Sequence, residues 1–139
     1  MEYIRLVHPE NYDRDTGFFS DIEFKGKSAD GSGMSLVQLE CAAAASGGLI
    51  CQHFQDKYSS VAAHPPIFLI LSEAEFPDNV TLHNSPEFHP QKDPCHWDAR
   101  STTNDKQLKK LRKRPITDYS ICENGVVRKV TQADVDSWP

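Results

Sequence analysis

The segment Pro65-Pro66-Ile67-Phe68-Leu69-Ile70-Leu71-Ser72-Glu73 decides the fold class of this chain. Its centre, residues 67–71, is an uninterrupted apolar run that begins after a diproline and ends at a serine and a glutamate. A short apolar run with such boundaries is typical of a β-strand buried on both faces. We therefore predict that residues 67–71 form the surest core element, and we place the other elements in relation to it.

Shorter segments on both sides also predict strands. Residues 3–8 alternate β-branched and aromatic side chains with others until Pro9 ends the pattern. Residues 34–40 alternate as well, but they could equally begin a helix through the alanines at 42–45, and periodicity cannot decide over so few residues. Asn124-Gly125 between apolar residues is a strong hairpin signal. Further strand candidates are residues 79–83, 118–122 and 126–130.

Three segments predict helices. In residues 49–58, Ile50, Phe54 and Tyr58 recur at helical spacing and define one buried stripe. Residues 103–114 form a second helix that ends before a proline, and the capping box at residues 131–134 opens a third. Residues 9–33 are rich in turn formers and predict a long N-terminal loop with at most one short strand. The expected fold is α+β: a single compact domain, residues 1–139, with a mainly antiparallel sheet and two or three helices.

Composition excludes several classes of protein. Hydrophobic residues make up 38% of the 139 residues and charged residues 25%, which argues against a membrane protein, a collagen-like fibre or a disordered tail. The net charge is −5, but it is unevenly spread. Six of the fifteen basic residues lie in residues 106–114, which hold no acid, so the rest of the chain has nine basic and twenty acidic residues, a net charge of −11. The chain is therefore an acidic body with one basic segment.

The cysteines predict a compartment. Cys41, Cys51, Cys95 and Cys122 are far apart and include no CxxC pair, and the first residues lack the apolar run of a secretion signal. We therefore expect a cytoplasmic protein with free thiols, no membrane span and no disulfide framework. Cys51 and His53 do not predict a nucleophile with its base, because residues two apart on a helix do not face each other.

A polar cluster follows the predicted strand at 79–83. A tetrahedral zinc site needs three or four nitrogen, sulfur or oxygen ligands, and this cluster contains enough of them. Its spacing matches no standard zinc motif, so the sequence assigns no metal and no cofactor, and it favours exposed loop histidines beside a buried cysteine over a metal site. The cluster comprises His83, His89, Asp93, Cys95, His96 and Asp98.

A catalytic interpretation is available for part of this region. If residues 94–102 form an edge strand, alternation places His96, Asp98 and Arg100 on one face and Trp97 on the other. An acid between a histidine and an arginine can orient the imidazole as a general base. The alternative is a surface row of ion pairs above a core-facing Trp97.

The order of elements at the start of the chain resembles ADP-ribosyltransferase-like proteins. Arg5 and His8 lie on the first predicted strand, a long polar loop follows, and then come a strand with Ser35 and a helix. The resemblance ends with that helix. It implies a dinucleotide clamp that uses an arginine or histidine, a strand-borne serine and a later glutamate, and Glu73, Glu75, Glu87 and Glu123 lie outside any recognisable motif.

The basic segment is the last candidate site. It can be a solvated face of a helix that Leu108 and Leu111 hold on the core, a docking surface for an acidic protein, or a nucleic-acid contact. The sequence favours a small accessory protein that docks a macromolecular partner, a protein before a nucleic acid. The alternative is a small transferase or hydrolase, ADP-ribosyltransferase-like or metal-assisted. The partner-binding candidates are Lys106, Lys109, Lys110, Arg112, Lys113 and Arg114.

Overall fold

A computed structural model describes residues 1–24, 33–87, 92–101 and 106–139. Its main sheet has the strand order β6-β7-β4-β1-β5-β8-β9, and every neighbouring pair is antiparallel. The predicted α+β class with a mainly antiparallel sheet is confirmed. The strands of this sheet are β1 Glu2–Val7, β4 Met34–Gln38, β5 Ile67–Ser72, β6 Val80–Asn84, β7 His96–Ser101, β8 Ser120–Glu123 and β9 Val126–Lys129. A small separate hairpin pairs β2 Tyr12–Asp13 with β3 Phe18–Phe19.

Strand β5 lies near the middle of the sheet, between β1 and β8. Its side chains alternate between two separate cores: Leu69 packs in one and Phe68 in the other, and both are fully buried. The predicted burial on both faces is therefore confirmed. We call the side that carries Phe68 the helix face, because the helices α1 Leu39–Ala45 and α2 Ile50–Tyr58 contribute buried residues to it. The side that carries Leu69 is the opposite face.

The helices follow the sequence pattern closely except in the basic segment. The sequence left open whether residues 34–40 form a strand or begin a helix through the alanines at 42–45. The structure contains both elements in succession, because β4 runs directly into α1 Leu39–Ala45. Helix α2, Ile50–Tyr58, buries Phe54 against Phe68 of β5, with ring centres 5.3 Å apart. The predicted capping box is present, since Thr131 and Asp134 exchange hydrogen bonds at the start of α4 Gln132–Ser137.

The basic helix is shorter than predicted. It consists of α3 Lys106–Lys109 and a 3-10 turn, Lys110–Arg112, while the predicted start at residues 103–105 lies outside the described residues. The tighter turn ends the helix ahead of Pro115, because a residue that precedes proline is disfavoured in the α conformation. Leu108 and Leu111 are buried against the opposite face, as the sequence predicts.

The long N-terminal loop is not confirmed. Residues 9–24 contain two 3-10 turns, Pro9–Asn11 and Asp21–Phe24, and both strands of the β2–β3 hairpin. Phe19 and Phe24 are fully buried, so the segment is anchored in the core despite its many turn-forming residues. The remainder of the predicted loop, residues 25–32, lies outside the described residues. In the described part of the chain, no helix has the length and apolar character to cross a membrane.

Candidate functional site

The three predicted catalytic residues lie on β7, but β7 is not an edge strand. It pairs with β4 on one side and with β6 on the other. The prediction of an edge was wrong because Val80–Asn84, a weak strand pattern in the sequence, continues to pair with β7 along five residues. The alternation was predicted correctly, since His96 pairs with Val37 and Asp98 with Ser35, which places both on the helix face.

Asp98 is the most enclosed member of this row. Its side chain is 1% exposed, and Oδ2 accepts a hydrogen bond of 3.2 Å from Nη2 of Arg100. The other oxygen, Oδ1, is buried and has no hydrogen-bond partner among the described residues. Arg100 keeps 35% of its side chain exposed, so the pair joins a buried acid to the surface. The row is therefore not the surface row of ion pairs that was the alternative, because His96 and Asp98 are buried and only Arg100 of the Asp98–Arg100 pair is partly exposed.

His96 is held by Ser85 instead of by Asp98. Its Nδ1 lies 2.9 Å from the carbonyl oxygen of Ser85 and 3.0 Å from the hydroxyl of that serine. Because a carbonyl oxygen only accepts, the ring carries its proton on Nδ1 and donates it there. Asp98 therefore does not orient His96 through Nδ1, as a His–Asp pair for general-base catalysis requires.

Arg5 and His8 meet a different acid, Glu23. Nε of Arg5 donates to the Glu23 carbonyl at 2.7 Å, and its Nη2 lies 3.5 Å from Oε1. The Glu23 carboxylate also accepts from the backbone N–H of His8, and its Oε2 lies 3.5 Å from Nδ1 of that ring. Burial lowers the pKa of Arg5, and the charge of Glu23 opposes this effect.

The sheet separates this group from the β7 row. Arg5 follows Ile4, which faces the helix side, so its own side chain lies on the opposite face from His96 and Asp98. Its contact with Ser35 is to the backbone carbonyl, at 3.1 Å. The side chain of Ser35 shares the face of Asp98, so Arg5 and Ser35 do not form the clamp that the resemblance implies.

The sequence analysis missed a buried cluster of His53, Tyr58 and Asp93. Oδ2 of Asp93 lies 2.8 Å from Nε2 of His53 and accepts the Tyr58 hydroxyl at 2.6 Å. Oδ1 accepts the backbone N–H of Cys95 at 3.0 Å. All three side chains are buried, and His53 and Asp93 are separated by 40 residues in sequence. The only clue in the sequence was the position of His53, which lies one residue before Phe54 and five before Tyr58 in the predicted helix.

The charges of this cluster follow from its hydrogen bonds. Burial favours the neutral acid, but the hydrogen bonds from His53 and Tyr58 outweigh it and lower the pKa of Asp93 to about 2. Burial, with the hydrogen bond to Asp93, raises the pKa of Tyr58 far above its ordinary value. Asp93 is therefore a carboxylate at neutral pH, and a carboxylate only accepts, so Nε2 of His53 carries a proton.

The cysteines are paired, which corrects the expectation of free thiols. Cys41 of α1 is bonded to Cys95, and Cys51 of α2 is bonded to Cys122 of β8. The partners are 54 and 71 residues apart, so neither pair leaves a spacing motif in the sequence. Packing of the two helices on the helix face brings each pair together.

The predicted polar cluster assembles only in part. His89 lies outside the described residues, and His83 is exposed and contacts Thr81 at 2.8 Å. Asp93 and Cys95 do come together, with His53 as the third group, and potential ligand atoms of the three all lie within 4.8 Å of one another. In the part of the chain that the structure describes, no other group of three such residues meets this closely.

The basic segment splits into paired and unpaired side chains. Nζ of Lys109 lies 3.5 Å from Asp21, and Arg114 pairs with both Glu75 and Asp118. The described residues contain no acid within 4.0 Å of Lys110, Arg112 or Lys113. We call these three side chains the basic surface. The side chain of Lys106, the sixth predicted residue, lies outside the described part.

A cleft of about 670 Å³ lies between α2 and the turn at Asn124-Gly125. Cys51, Cys122 and Leu49 line it, together with the segment 62–66. Of the predicted catalytic and partner-binding residues that the structure describes, none lines this cleft. The cleft therefore does not unite the residues on which the catalytic hypothesis depends.

Comparison with known proteins adds no functional information. The chain matches no protein-family model, and neither curated proteins nor solved structures give a significant match. The geometry described above is therefore the basis for assigning a function.

Proposed function

We propose that the chain is a non-catalytic accessory protein that docks an acidic protein partner through the basic surface. The observation that carries the proposal is the division within the basic segment. Leu108 and Leu111 hold it on the core, while the charges of the basic surface have no acidic partner among the described residues. Unpaired cations on an otherwise acidic body attract an acidic partner and orient it at one place.

The surroundings of the basic surface favour a protein over a nucleic acid. Ile22 lies half exposed in the 3-10 turn Asp21–Phe24, which contacts the 3-10 turn Lys110–Arg112. An exposed aliphatic side chain in a turn that contacts the basic segment suits a peptide that carries both acids and an apolar residue. The segment 106–114 contains no aromatic residue on which a base could stack.

The direct test is binding of a labelled peptide in which glutamate alternates with leucine, followed by fluorescence anisotropy. The triple variant Lys110→Glu, Arg112→Glu and Lys113→Glu should bind at least about tenfold more weakly than the wild type, because three attractive charge contacts become repulsive. Its melting temperature should stay close to the wild-type value, since these are surface positions. The wild-type affinity should fall as salt is added.

A matched control separates a local effect from a change in net charge. Lys57→Glu, Lys92→Glu and Lys129→Glu reverse three lysines elsewhere and change the net charge by the same amount. The control should bind the peptide with wild-type affinity. Equal binding by both triple variants would overturn the proposal. Tighter binding of single-stranded RNA or double-stranded DNA than of the peptide would replace the protein partner with a nucleic acid.

A second candidate function is favoured by the unpartnered Oδ1 of Asp98. A buried carboxylate oxygen beside Arg100 and near a histidine of the same strand is a feature of catalytic sites as well as of structural ion pairs. The alternative is a transferase or hydrolase that uses His96, Asp98 and Arg100. Its test is release of nicotinamide from NAD⁺. Release that His96→Ala abolishes without unfolding the chain would support it, and no release by the wild type would exclude the dinucleotide substrate.

The cytoplasmic location stays a prediction. Its premise of free thiols was wrong, because the structure pairs all four cysteines, and disulfides persist mainly in oxidising compartments. Alkylation of the thiols in the producing cells at the moment of lysis, followed by mass spectrometry, decides the point. Two intact disulfides would contradict a cytoplasmic location, whereas four alkylated cysteines would agree with it.

A further inference from the structure

The cluster around Asp93 contains more than a structural hydrogen-bond network. His53 comes from α2, Asp93 and Cys95 from the segment before β7, and Cys41 from α1. Ligand atoms of the first three lie within 4.8 Å of one another, and all three residues are buried. The sulfur of Cys41 is bonded to that of Cys95 at 2.04 Å, so it adds a fourth potential ligand atom at the same place.

We infer that the reduced chain binds one zinc ion through Cys41, Cys95, His53 and Asp93. Two thiolates, an imidazole and a carboxylate are ligands that Zn²⁺ accepts in tetrahedral sites. The site does not depend on the docking surface, which lies on the opposite face of the sheet. It is also distinct from the predicted cluster, of which only Asp93 and Cys95 take part.

The distances require small movements to form such a site. Zinc–ligand bonds of about 2.0 to 2.3 Å place neighbouring tetrahedral ligands about 3.3 to 3.8 Å apart. Nε2 of His53 is now 2.8 Å from Oδ2 of Asp93, so that pair opens by about 0.5 Å. The two sulfurs also move apart once their bond is reduced, because two thiolates on one zinc ion are not bonded to each other.

The disulfide and the metal site exclude each other. Two molecules of a thiol reductant convert the Cys41–Cys95 bond into two cysteine thiols and one molecule of oxidised reductant, so two electrons and two protons enter the protein. Zinc then displaces the two thiol protons and binds the thiolates. His53 binds through Nε2 with its proton moved to Nδ1. The oxidised chain offers no thiolate, so it lacks half of the ligands.

Two hydrogen-bond donors other than the proposed ligand atoms already orient the Asp93 carboxylate. The Tyr58 hydroxyl donates to Oδ2 of Asp93 at 2.6 Å, and the backbone N–H of Cys95 donates to Oδ1 at 3.0 Å. Such outer contacts orient metal ligands and are a normal part of zinc sites. The second disulfide provides an internal comparison, because in the described residues Cys51 and Cys122 belong to no comparable group of ligands.

The test compares two variants that each keep one cysteine pair. Cys51→Ser/Cys122→Ser retains the proposed ligands, and Cys41→Ser/Cys95→Ser removes two of them. Each variant is reduced with a phosphine, and the reductant is then removed under anaerobic conditions. Zinc affinity is measured by titration with Zn²⁺ in competition with a chromophoric chelator. A separate titration with Co²⁺ records the absorption spectrum of the bound metal. The first variant should bind one equivalent and give a thiolate–cobalt charge-transfer band. The second variant, and the oxidised wild type, should bind at least about a hundredfold more weakly.

Substitution of the other ligands tests the complete set. His53→Gln and Asp93→Asn should each weaken zinc binding at least about tenfold, whereas Tyr58→Phe keeps all four ligands and should keep one equivalent. Circular dichroism follows the fold throughout, and recovery of native signal by zinc in a reduced, unfolded chain also supports the site. Equal zinc binding by the two cysteine-pair variants, or wild-type affinity in both His53→Gln and Asp93→Asn, would overturn the inference. If serine substitution prevents folding, the fully reduced wild type serves, and failure to bind zinc there overturns it equally.

Discussion

Arg5 and Glu23 form an ion pair on the opposite face of the sheet, with Nη2 and Oε1 3.5 Å apart and only 16% and 4% of their side chains exposed. The pair links β1, a central strand, to the 3-10 turn that precedes the undescribed segment 25–32. The same carboxylate accepts from the backbone N–H of His8. Residues that the sequence analysis considered for binding a dinucleotide therefore hold the N-terminal segment on the sheet.

Removal of the Glu23 carboxylate should destabilise the protein strongly. Glu23→Ala leaves the Arg5 guanidinium enclosed without its counter-charge, and breaking a buried pair from one side costs about 3 to 5 kcal/mol. Denaturant unfolding measures this loss. The double variant Arg5→Met/Glu23→Leu should recover much of it, because no charge remains buried. A Glu23→Ala variant with wild-type stability would show that the pair contributes nothing.

Gly33 should tolerate no side chain. A Cβ at this position would lie 2.2 Å from the carbonyl oxygen of Ala99 and 2.7 Å from its carbonyl carbon, which are backbone atoms of β7 that cannot turn aside. Gly33→Ala should therefore cost more than about 3 kcal/mol in unfolding free energy. Gly17→Ala is the control, because Gly17 has open space around it but a φ of +77°, so only backbone strain of about 1 kcal/mol applies. Equal losses would contradict the close approach of β4 and β7.

The anchors of the basic segment should matter for stability and its exposed cations should not. Leu108 is fully buried and Leu111 is nearly so, and truncation of such a leucine to alanine costs about 2 to 5 kcal/mol. Lys110→Ala and Lys113→Ala should change the unfolding free energy by less than about 0.5 kcal/mol. Thermal and denaturant unfolding of the four single variants checks both statements. A large loss for either lysine would show that it is held by the fold and is not available to a partner.

Asp134 should make stability depend on pH. Hydrogen bonds from Arg128, with those from Thr131, lower the pKa of this carboxyl far below its ordinary value of 3.8. The unfolded chain therefore binds the proton more readily, so the contribution of Asp134 is present above about pH 4 and is lost as the pH falls. The unfolding free energy, measured at a series of pH values from 6 downward, should fall less steeply with pH in Asp134→Asn than in the wild type. At neutral pH the same variant should lose about 1 kcal/mol, because the capping box is weakened. Identical pH profiles would contradict this account.

Local sequence patterns predicted the strands and helices, but they did not predict the contacts between residues that are distant in the sequence. The apolar run of β5, the repeat of Phe54 and Tyr58 in α2 and the capping box of α4 each depend on neighbouring residues, and the structure confirms them. The disulfide between Cys41 and Cys95 and the hydrogen bond between His53 and Asp93 span 54 and 40 residues. Such pairs are created by the packing of helices on the sheet, and no periodicity records them.

In the candidate site, too, the features that depend on neighbouring residues were predicted and the long-range contacts were not. Strand alternation correctly predicted that His96, Asp98 and Arg100 share a face, because it follows from the geometry of a single strand. It could not show that Ser85 holds the imidazole or that β6 covers the edge of β7, since both contacts come from a segment ten or more residues away. The cations of the basic segment were identified from composition, but the acids that neutralise Lys109 and Arg114 lie on other elements.

The most direct test of the proposed docking function is native mass spectrometry of the chain purified from the cells that produce it, in three forms. The wild type and the control with Lys57, Lys92 and Lys129 reversed to glutamate should both carry the same protein partner at a fixed stoichiometry. The variant Lys110→Glu/Arg112→Glu/Lys113→Glu should be found without it. A chain that is bare in all three forms, or a partner that all three retain equally, would contradict docking through the basic surface.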